Sequence, residues 1–483
     1  MAQEIELKLE LTREAADAIE ASGLLVGNPE TVQQRSIYFD TPNQSLSKAG
    51  LSLRIRRSGA KRIQTVKASS GSAAGLFARS EWERPVKDDT PIVDDATPIR
   101  ALLGDVDDAI APAFGVEVER RTWIISTSDA TIELVLDRGD AIVGERRSPI
   151  CEMELELKQG DPAALFTLAR KIDAVAPVRL GVLTKGERGY RLAGPVVKMV
   201  KAEPIMLAVD LTASQAFRRI VQSCVRQFRL NEALLLMERD ADALHQARVA
   251  LRRLRSAFAI FKPIIGDAGN NLRAGLRWLA AELGDARNLD VLLERASPGA
   301  LHDRIAAARE AAYTRVGDVL ASARVRGLML DLAALTADDS PPGASVEYAD
   351  DSQPSAVFAV TALDRFRHKV KKKGRRLARA DDATRHELRK DAKKLRYAAE
   401  FFSSLFQRKR EKRRYKRFIA TLEALQDRLG GLNDLATAPH VLEKLGVADD
   451  PAARALLAGD KDKLLSAADN AYENLFDTKR FWR

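Results

Sequence analysis

Residues 4–10 read Glu4-Ile5-Glu6-Leu7-Lys8-Leu9-Glu10, and this alternation decides the fold of the first part of the chain. In a strand, side chains i and i+2 point to the same face. Glu4, Glu6 and Lys8 therefore share one face, while Ile5, Leu7 and Leu9 share the other. The same period of two recurs at Leu51–Arg57, Arg62–Lys67, Ser80–Val86, Thr131–Asp137 and Glu152–Lys158. Any one of these strands would pass as the solvated side of an ordinary antiparallel sheet. Together they are less ordinary. Glu152, Glu154 and Glu156 share a face, and carboxylates so placed repel unless something positive lies between them. Arg54, Arg56 and Lys67 lie on cationic strands, whereas Arg79, Glu81 and Glu83 mix the two signs on one face. Segregated carboxylates and cations suit a metal-phosphate site, because hard divalent cations take oxygen ligands and phosphate oxygens take Arg and Lys. A closed barrel accommodates the pattern, with charges in its lumen and helices over its apolar outer face. Helices are expected at Thr12–Ser22 and Pro162–Ala174.

The chain has 483 residues, 46% hydrophobic and 30% charged, which excludes disorder and allows more than one core. Two cysteines exclude a disulfide scaffold or a Cys-based zinc site, and Cys151 and Cys224 read as buried and inert. No apolar run approaches membrane-spanning length, and residues 1–6 lack a basic-then-apolar signal, so a cytoplasmic protein with no membrane partner is expected. The net charge of +10 is unevenly spread. Residues 1–200 hold 27 basic and 30 acidic side chains, against 51 and 38 in 201–483. The basic part should favour a polyanion.

From Leu211 onward the pattern is one of long amphipathic helices, preceded by a linker at 196–210. A second linker, 336–355, divides this part into halves of about 211–335 and 356–483. The halves look like copies. His245-Gln-Ala-Arg248-Val-Ala-Leu-Arg252-Arg-Leu-Arg255 aligns with His386-Glu-Leu-Arg389-Lys-Asp-Ala-Lys393-Lys394-Leu-Arg396 at an offset of 141. Leu283-Gly284-Asp-Ala-Arg287 has a counterpart in Leu429-Gly430-Gly-Leu-Asn433. At about 100° per residue, His245, Arg248, Arg252 and Arg255 fall within an arc of about 80°, opposite the apolar side. A charged solvent face is the ordinary explanation of one such helix. Two copies, each with its His at the same place and few acids to offset the repulsion, argue for an anion-binding face. Further basic clusters lie at Arg365–Arg379 and Arg408–Arg417. Without a zinc finger or stacking motif, nucleic acid is the less favoured polyanion.

The first part resembles the CYTH superfamily, the triphosphate tunnel metalloenzymes. The matching residues are Glu4-x-Glu6-x-Lys8, Tyr38-Phe39-Asp40-Thr41, Leu53-Arg54-x-Arg56, Lys67, Arg79-x-Glu81-x-Glu83, Arg120-Arg121, Asp137, Glu152-x-Glu154-x-Glu156 and Lys185-x-x-Arg188. The resemblance covers about 1–195 and implies an eight-stranded antiparallel tunnel, α+β with its covering helices, that hydrolyses a triphosphate. It implies Glu4, Glu6, Asp137, Glu152 and Glu154 as ligands of Mg²⁺ or Mn²⁺, with Lys8 beside them in catalysis. It implies Lys8, Arg54, Arg56, Lys67, Arg79, Arg121, Lys185 and Arg188 as ligands of the phosphate chain. Inorganic triphosphate is the expected substrate, and adenylate cyclase chemistry is the alternative within the same fold.

Residues 211–483 resemble the CHAD domain, the conserved-histidine α-helical domain. This implies an all-α duplicated bundle that binds inorganic polyphosphate and could place the protein on polyphosphate granules. The implied ligands are His245, Arg248, Arg252, Arg255, Arg287, His386, Arg389, Lys393, Lys394 and Arg396. The competing expectation is a non-catalytic protein that binds polyphosphate only.

Overall fold

The computed structural model describes residues 4–68, 74–104, 110–267, 269–337, 353–457 and 460–483. The side chains of Glu4 and Arg79, most of the glycine-rich stretch 68–75 and most of the linker 336–355 lie outside that description. Packing divides the chain into two compact units, 1–198 with 323–345, and 199–322 with 346–483.

The first unit is built on nine antiparallel strands: β1 (Glu4–Glu10), β2 (Glu30–Asp40), β3 (Leu51–Ser58), β4 (Lys61–Ala68), β5 (Leu76–Pro85), β6 (Ala111–Ser126), β7 (Ala130–Val143), β8 (Arg146–Gly160) and β9 (Arg179–Leu180). Their order is β5-β4-β3-β2-β6-β7-β8-β1-β9, and β1 also pairs with β5. Leu7 opposes Leu76 on one side of β1 and Leu155 on the other, so eight strands close into a ring. The expected tunnel is therefore the observed architecture. Strands β2 and β6 were not apparent from alternation. The first half of β2 has polar residues on both faces, Thr31, Gln33 and Arg35 on one and Glu30 and Gln34 on the other, and β6 contains Pro112 and Gly115.

The alternation puts Leu7, Leu9, Leu53, Ile55, Leu134, Leu136, Met153 and Leu155 outside the ring, where they are buried. Helices α1 (Arg13–Ala21), α2 (Ser45–Lys48), α3 (Pro98–Leu103) and α4 (Ala163–Val175) are added to the sheet. Leu46 of α2 and Ile99 of α3 join Phe39, Leu53 and Val66 in one core cluster. Inside the ring, one end is apolar. Phe114, Val116, Val118, Ala141 and Ile150 pack there with Tyr38, and Tyr190 and Leu192 of α5 (Lys185–Ala193) close over them.

The second unit comprises α6 (Ala213–Met237), α7 (Ala241–Ile260), α8 (Lys262–Ile265), α9 (Asn270–Glu282), α10 (Gly284–Arg295) and α11 (Ala300–Ala321) in one half. The next helix, α12 (Ala323–Ala334), packs with the first unit, on α4 and β9. Arg326 pairs there with Asp173 (2.5 Å) and Arg170 with Asp331 (2.7 Å). The other half comprises α13 (Ser355–Gly374), α14 (Asp382–Phe401), α15 (Lys409–Lys444), α16 (Pro451–Leu457) and α17 (Lys461–Asp477). The repeat is visible in the core. Phe217 and Phe358, and Phe261 and Phe402, are pairs 141 residues apart. These four rings meet, with Phe261 on Phe217 at 5.2 Å, on Phe358 at 4.6 Å and on Phe402 at 5.8 Å. Aromatic contact at these distances adds to the area it buries and ties the copies together.

Candidate functional site

A cavity of about 630 Å³ occupies the ring. Because charged positions alternate with apolar ones, β1 turns Glu6 and Lys8 into it, β3 turns Arg54 and Arg56, β4 Lys67, β5 Glu81 and Glu83, and β8 Glu154 and Glu156. At its apolar end three carboxylates converge, of which Glu154 lines the cavity and Asp137 and Glu152 lie buried behind it. Asp137 of β7 and Glu152 and Glu154 of β8 have oxygens within 4.8 Å of one another. Asp137 and Glu152 are fully buried. Like charges so close require counter-ions, and three cations supply them. Lys8 Nζ lies 2.8 Å from Glu152 and 2.7 Å from Glu154. Lys185 Nζ reaches Asp137 (2.7 Å), Glu152 (2.5 Å) and Glu154 (2.7 Å). Arg120 forks onto both oxygens of Asp137 (2.8 and 2.6 Å) and onto Glu154 (3.0 Å).

The electrostatics follow from this packing. Burial works against the charge of Glu154, but Lys185, Lys8 and Arg120 outweigh it and hold the carboxyl well below its usual range. Burial also works against the Lys185 ammonium, and Asp137, Glu152 and Glu154 overcome it and push the group well above the usual lysine range. Glu6 is the exception. Burial, then Glu154, push it up to about 7, and Lys8, 4.0 Å away, compensates only in part. Glu152 Oε2 is buried with no hydrogen-bond partner. A buried carboxylate oxygen without a partner, beside two more carboxylates, fits a hard divalent cation.

The opposite wall is cationic. Arg54 donates to the Tyr38 hydroxyl at 3.4 Å, and its Nε is buried without a partner. Arg56 and Lys67 face Glu83 (3.3 Å) and Glu81 (2.9 Å) across the strands. Lys185 is delivered by α5, whose first turn is fixed by a Thr184–Glu187 capping box. Helix α5 sits close because Gly189 has no side chain: a Cβ there would stand 2.1 Å from the Phe114 ring. Tyr190 stacks edge-on against Phe114 and donates to Asp40 at 2.7 Å. Asp40 also accepts from the backbone N–H of Thr41, Leu46 and Ser47.

One expectation in the barrel needs correction, and three residues stand apart. Arg121, expected on the phosphate chain, points out of the ring to Glu20 (2.7 Å) and Glu119 (2.9 Å). Its neighbour Arg120 enters instead, because consecutive strand residues face opposite ways and Arg120 pairs in register with Asp137. Assigning β6 from sequence would have revealed this parity. Arg188 is beside the carboxylate end but does not line the cavity, and it pairs with Glu10 at 3.0 Å. Glu4 and Arg79 oppose one another in the β1–β5 register, with undescribed side chains.

In the helical unit, α7 and α14 pack together and the two basic faces meet. Burial and then Arg287, Arg252 and Arg248 push His245 down to about 4. Burial, Arg389, Arg252, Arg396 and Arg248 push Lys393 down to about 7. Arg248 is lowered to about 10 by burial, Arg252, Arg287 and Arg255. A Cβ built on Gly284 would stand 3.4 Å from Arg248 and one on Gly430 3.9 Å from Arg389, ordinary contact distances, so each glycine faces the equivalent arginine of its copy. His386 is 2.8 Å from Asn433, which holds the place of Arg287 in the other copy. Lys394, expected on this face, instead pairs with Asp391 at 3.1 Å. It lies about 80° past His386, outside the arc. Arg396 is shared with Glu400 and Glu423, both at 3.4 Å.

The fold and both sites define a tunnel domain followed by a duplicated helical domain. Family profiles match a CYTH domain at residues 2–190 and a CHAD domain at residues 219–443. The chain thus carries CYTH and CHAD domains in that order. An inorganic triphosphatase of Haemophilus influenzae is 28% identical over 209 residues, which are 40% of this chain and 55% of that protein. The chain therefore matches only about half the length of that relative. A CHAD domain structure from Ricinus communis is 27% identical, covers 57% of this chain and 96% of its own, and superposes with a TM-score of 0.46. A Hippeastrum protein described as an adenylyl cyclase with dominant triphosphatase activity is 20% identical, covers 39% of this chain and 95% of its own, with a TM-score of 0.31. Among the described residues, no helix is long and apolar enough to cross a membrane.

Proposed function

We propose that the barrel hydrolyses inorganic triphosphate with Mg²⁺ or Mn²⁺, and that the helical domain binds inorganic polyphosphate. The observation that carries the first reading is the arrangement of charge inside one ring, three clustered carboxylates at the α5 end and Arg54, Arg56 and Lys67 on the opposite wall. Glu6, Asp137, Glu152 and Glu154 would hold the divalent cation, and Glu4, two residues before Glu6 on β1, is the further candidate. Such a cation, when bound, neutralises phosphate charge and acidifies water. The chain's own part is to position and to exclude. Arg54, Arg56 and Lys67 bind the phosphate oxygens, and Lys8, Lys185 and Arg120 keep the carboxylates ionised and fixed. Positioning and electrostatics are most of what phosphoryl transfer asks of a protein. Among the described lining residues Tyr38 is the one aromatic ring, and it is already stacked on Phe114 at 4.7 Å. That favours an inorganic chain over a nucleotide base.

The helical reading rests on buried guanidinium nitrogens without partners, the Nε atoms of Arg248, Arg252 and Arg389, on a face where two copies meet. A protein that holds polyphosphate would also follow it into granules. The deciding experiment is phosphate release from triphosphate by the full chain with Mg²⁺ or Mn²⁺, beside polyphosphate binding by the same protein. Normal turnover by Glu6→Ala/Glu154→Gln would overturn the tunnel assignment. Polyphosphate binding without turnover would leave the purely binding protein as the reading.

A further inference from the structure

Helix α15 begins with eight basic residues in ten, Arg408–Arg417, against one acid, Glu411. This is the wrong end of a helix for positive charge, since the macrodipole there is itself positive. Lys409 and Arg413, Lys412 and Lys416, and Arg413 and Arg417 also repel at i,i+4 spacing. Glu411 is engaged in capping the backbone N–H of Arg408 at 2.9 Å. Arg414 turns inward onto the carbonyls of Arg480 and Arg483. Lys409, Arg410, Lys412, Arg413, Lys416 and Arg417 are exposed, and none forms an ion pair with a described residue.

The position of this cluster is fixed by how α15 runs along α14. Asn433 meets His386, Gly430 meets Arg389, Gln426 donates to Ala392 at 3.0 Å, and Glu423 meets Arg396. The helices are antiparallel, so the start of α15 lies beyond the Arg396 end of the basic face. Counting back from Glu423, Lys416, Lys412 and Lys409 lie within about 40° of its direction, about 10 to 21 Å further along the axis. Lysines thus continue the line of Arg389, Lys393 and Arg396 past Glu423, whose charge Arg396 already meets.

We propose that the first two turns of α15 form a second phosphate-binding segment, collinear with the central face, that makes the helical domain prefer long inorganic polyphosphate to short chains. It rests on the polyphosphate reading of that domain. A short chain fills the central face and ends there. A long one continues onto Lys416, Lys412 and Lys409, and the second contact is intramolecular, so it adds affinity without altering the first.

The test is binding of the full chain to polyphosphate of about 100 and of about 10 phosphates, lengths chosen to engage both segments or one. For Lys409→Gln/Lys412→Gln/Lys416→Gln, affinity for the long chain should fall about tenfold and its salt dependence become shallower by about two to three ions, with the short chain unaffected. Thermal stability should be no lower than wild type and triphosphate turnover unchanged, since these side chains are exposed and belong to the other compact unit. Arg252→Gln should weaken both lengths. Equal loss for both lengths, or no loss for either, overturns the proposal. So does duplex DNA displacing long polyphosphate equally well at fixed salt, which would make the segment a nucleic-acid backbone site. If wild type binds neither length, the reading of the whole domain falls first and this one with it.

Discussion

The two units gather cations in opposite ways. In the barrel, Lys8, Lys185 and Arg120 are buried against Asp137, Glu152 and Glu154 at 2.5–3.0 Å. Each charge there is held by its neighbours, and Lys185 is pushed up. In the helical unit, Arg248, Arg252, Arg389 and Lys393 crowd with few acids among them, and Lys393 is pushed down. Compensated charge builds a rigid site before any ligand arrives. Uncompensated charge opposes folding and is relieved when an anion binds. The same substitution, a cation neutralised, should therefore have opposite effects on stability in the two places.

The largest effect should come from the barrel. Lys185→Met leaves three buried carboxylates short of their shared counter-ion, and breaking a buried pair costs about 3–5 kcal/mol. A large drop in thermal midpoint and loss of triphosphate turnover are expected from calorimetry and phosphate-release assays; an unchanged midpoint would break the contrast. Gly189→Ala should come next. Its Cβ would meet the Phe114 ring, and overpacking costs about 1–3 kcal/mol. Because α5 delivers Lys185, turnover should fall further than stability alone explains, whereas Tyr190→Phe should loosen α5 more mildly by removing its hydrogen bond to Asp40.

Lys393→Met should have the reverse sign. Removing one member of a repelling cluster should leave the protein as stable as wild type or slightly more so, while weakening polyphosphate binding. A pH titration sharpens this. Lys393 is at about 7 in the fold and has the ordinary lysine value of 10.5 when unfolded. Between those values the unfolded chain binds more protons, so stability from this group rises with pH above about 7. Polyphosphate affinity should fall over the same window, and calorimetry in two buffers should detect proton uptake on binding. The smallest effect concerns Glu6. Raised to about 7, it carries a proton that a divalent cation must displace. Cation affinity of the full chain should fall below about pH 7, with proton release on binding. A flat pH profile would show that Glu6 is not among the ligands.

Much of both sites could be read before folding was considered. Strand parity alone put Glu6 and Lys8 together, and Arg54 with Arg56, because a period of two is a local property of the chain. Helical phase and the offset of 141 found the face of His245, Arg248 and Arg252 and its copy. What failed did so for local reasons. The resemblance points to Arg121, and only the parity of β6, a strand that alternation does not reveal, distinguishes it from Arg120. Lys394 is adjacent to Lys393 in sequence, but its angle on the helix places it off the face.

By itself, then, the sequence determined the two domains, the duplication, and which residue types line each site, since these follow from periodicity and covalent order. Only the tertiary structure decided which charges meet. Asp137 and Glu152 are 15 residues apart in sequence yet face each other in register across β7 and β8. Lys185 reaches both from a helix that follows the barrel, and only the packing of Gly189 on Phe114 brings it there. Coulombic interaction depends on distance and burial, and neither exists until the ring has closed.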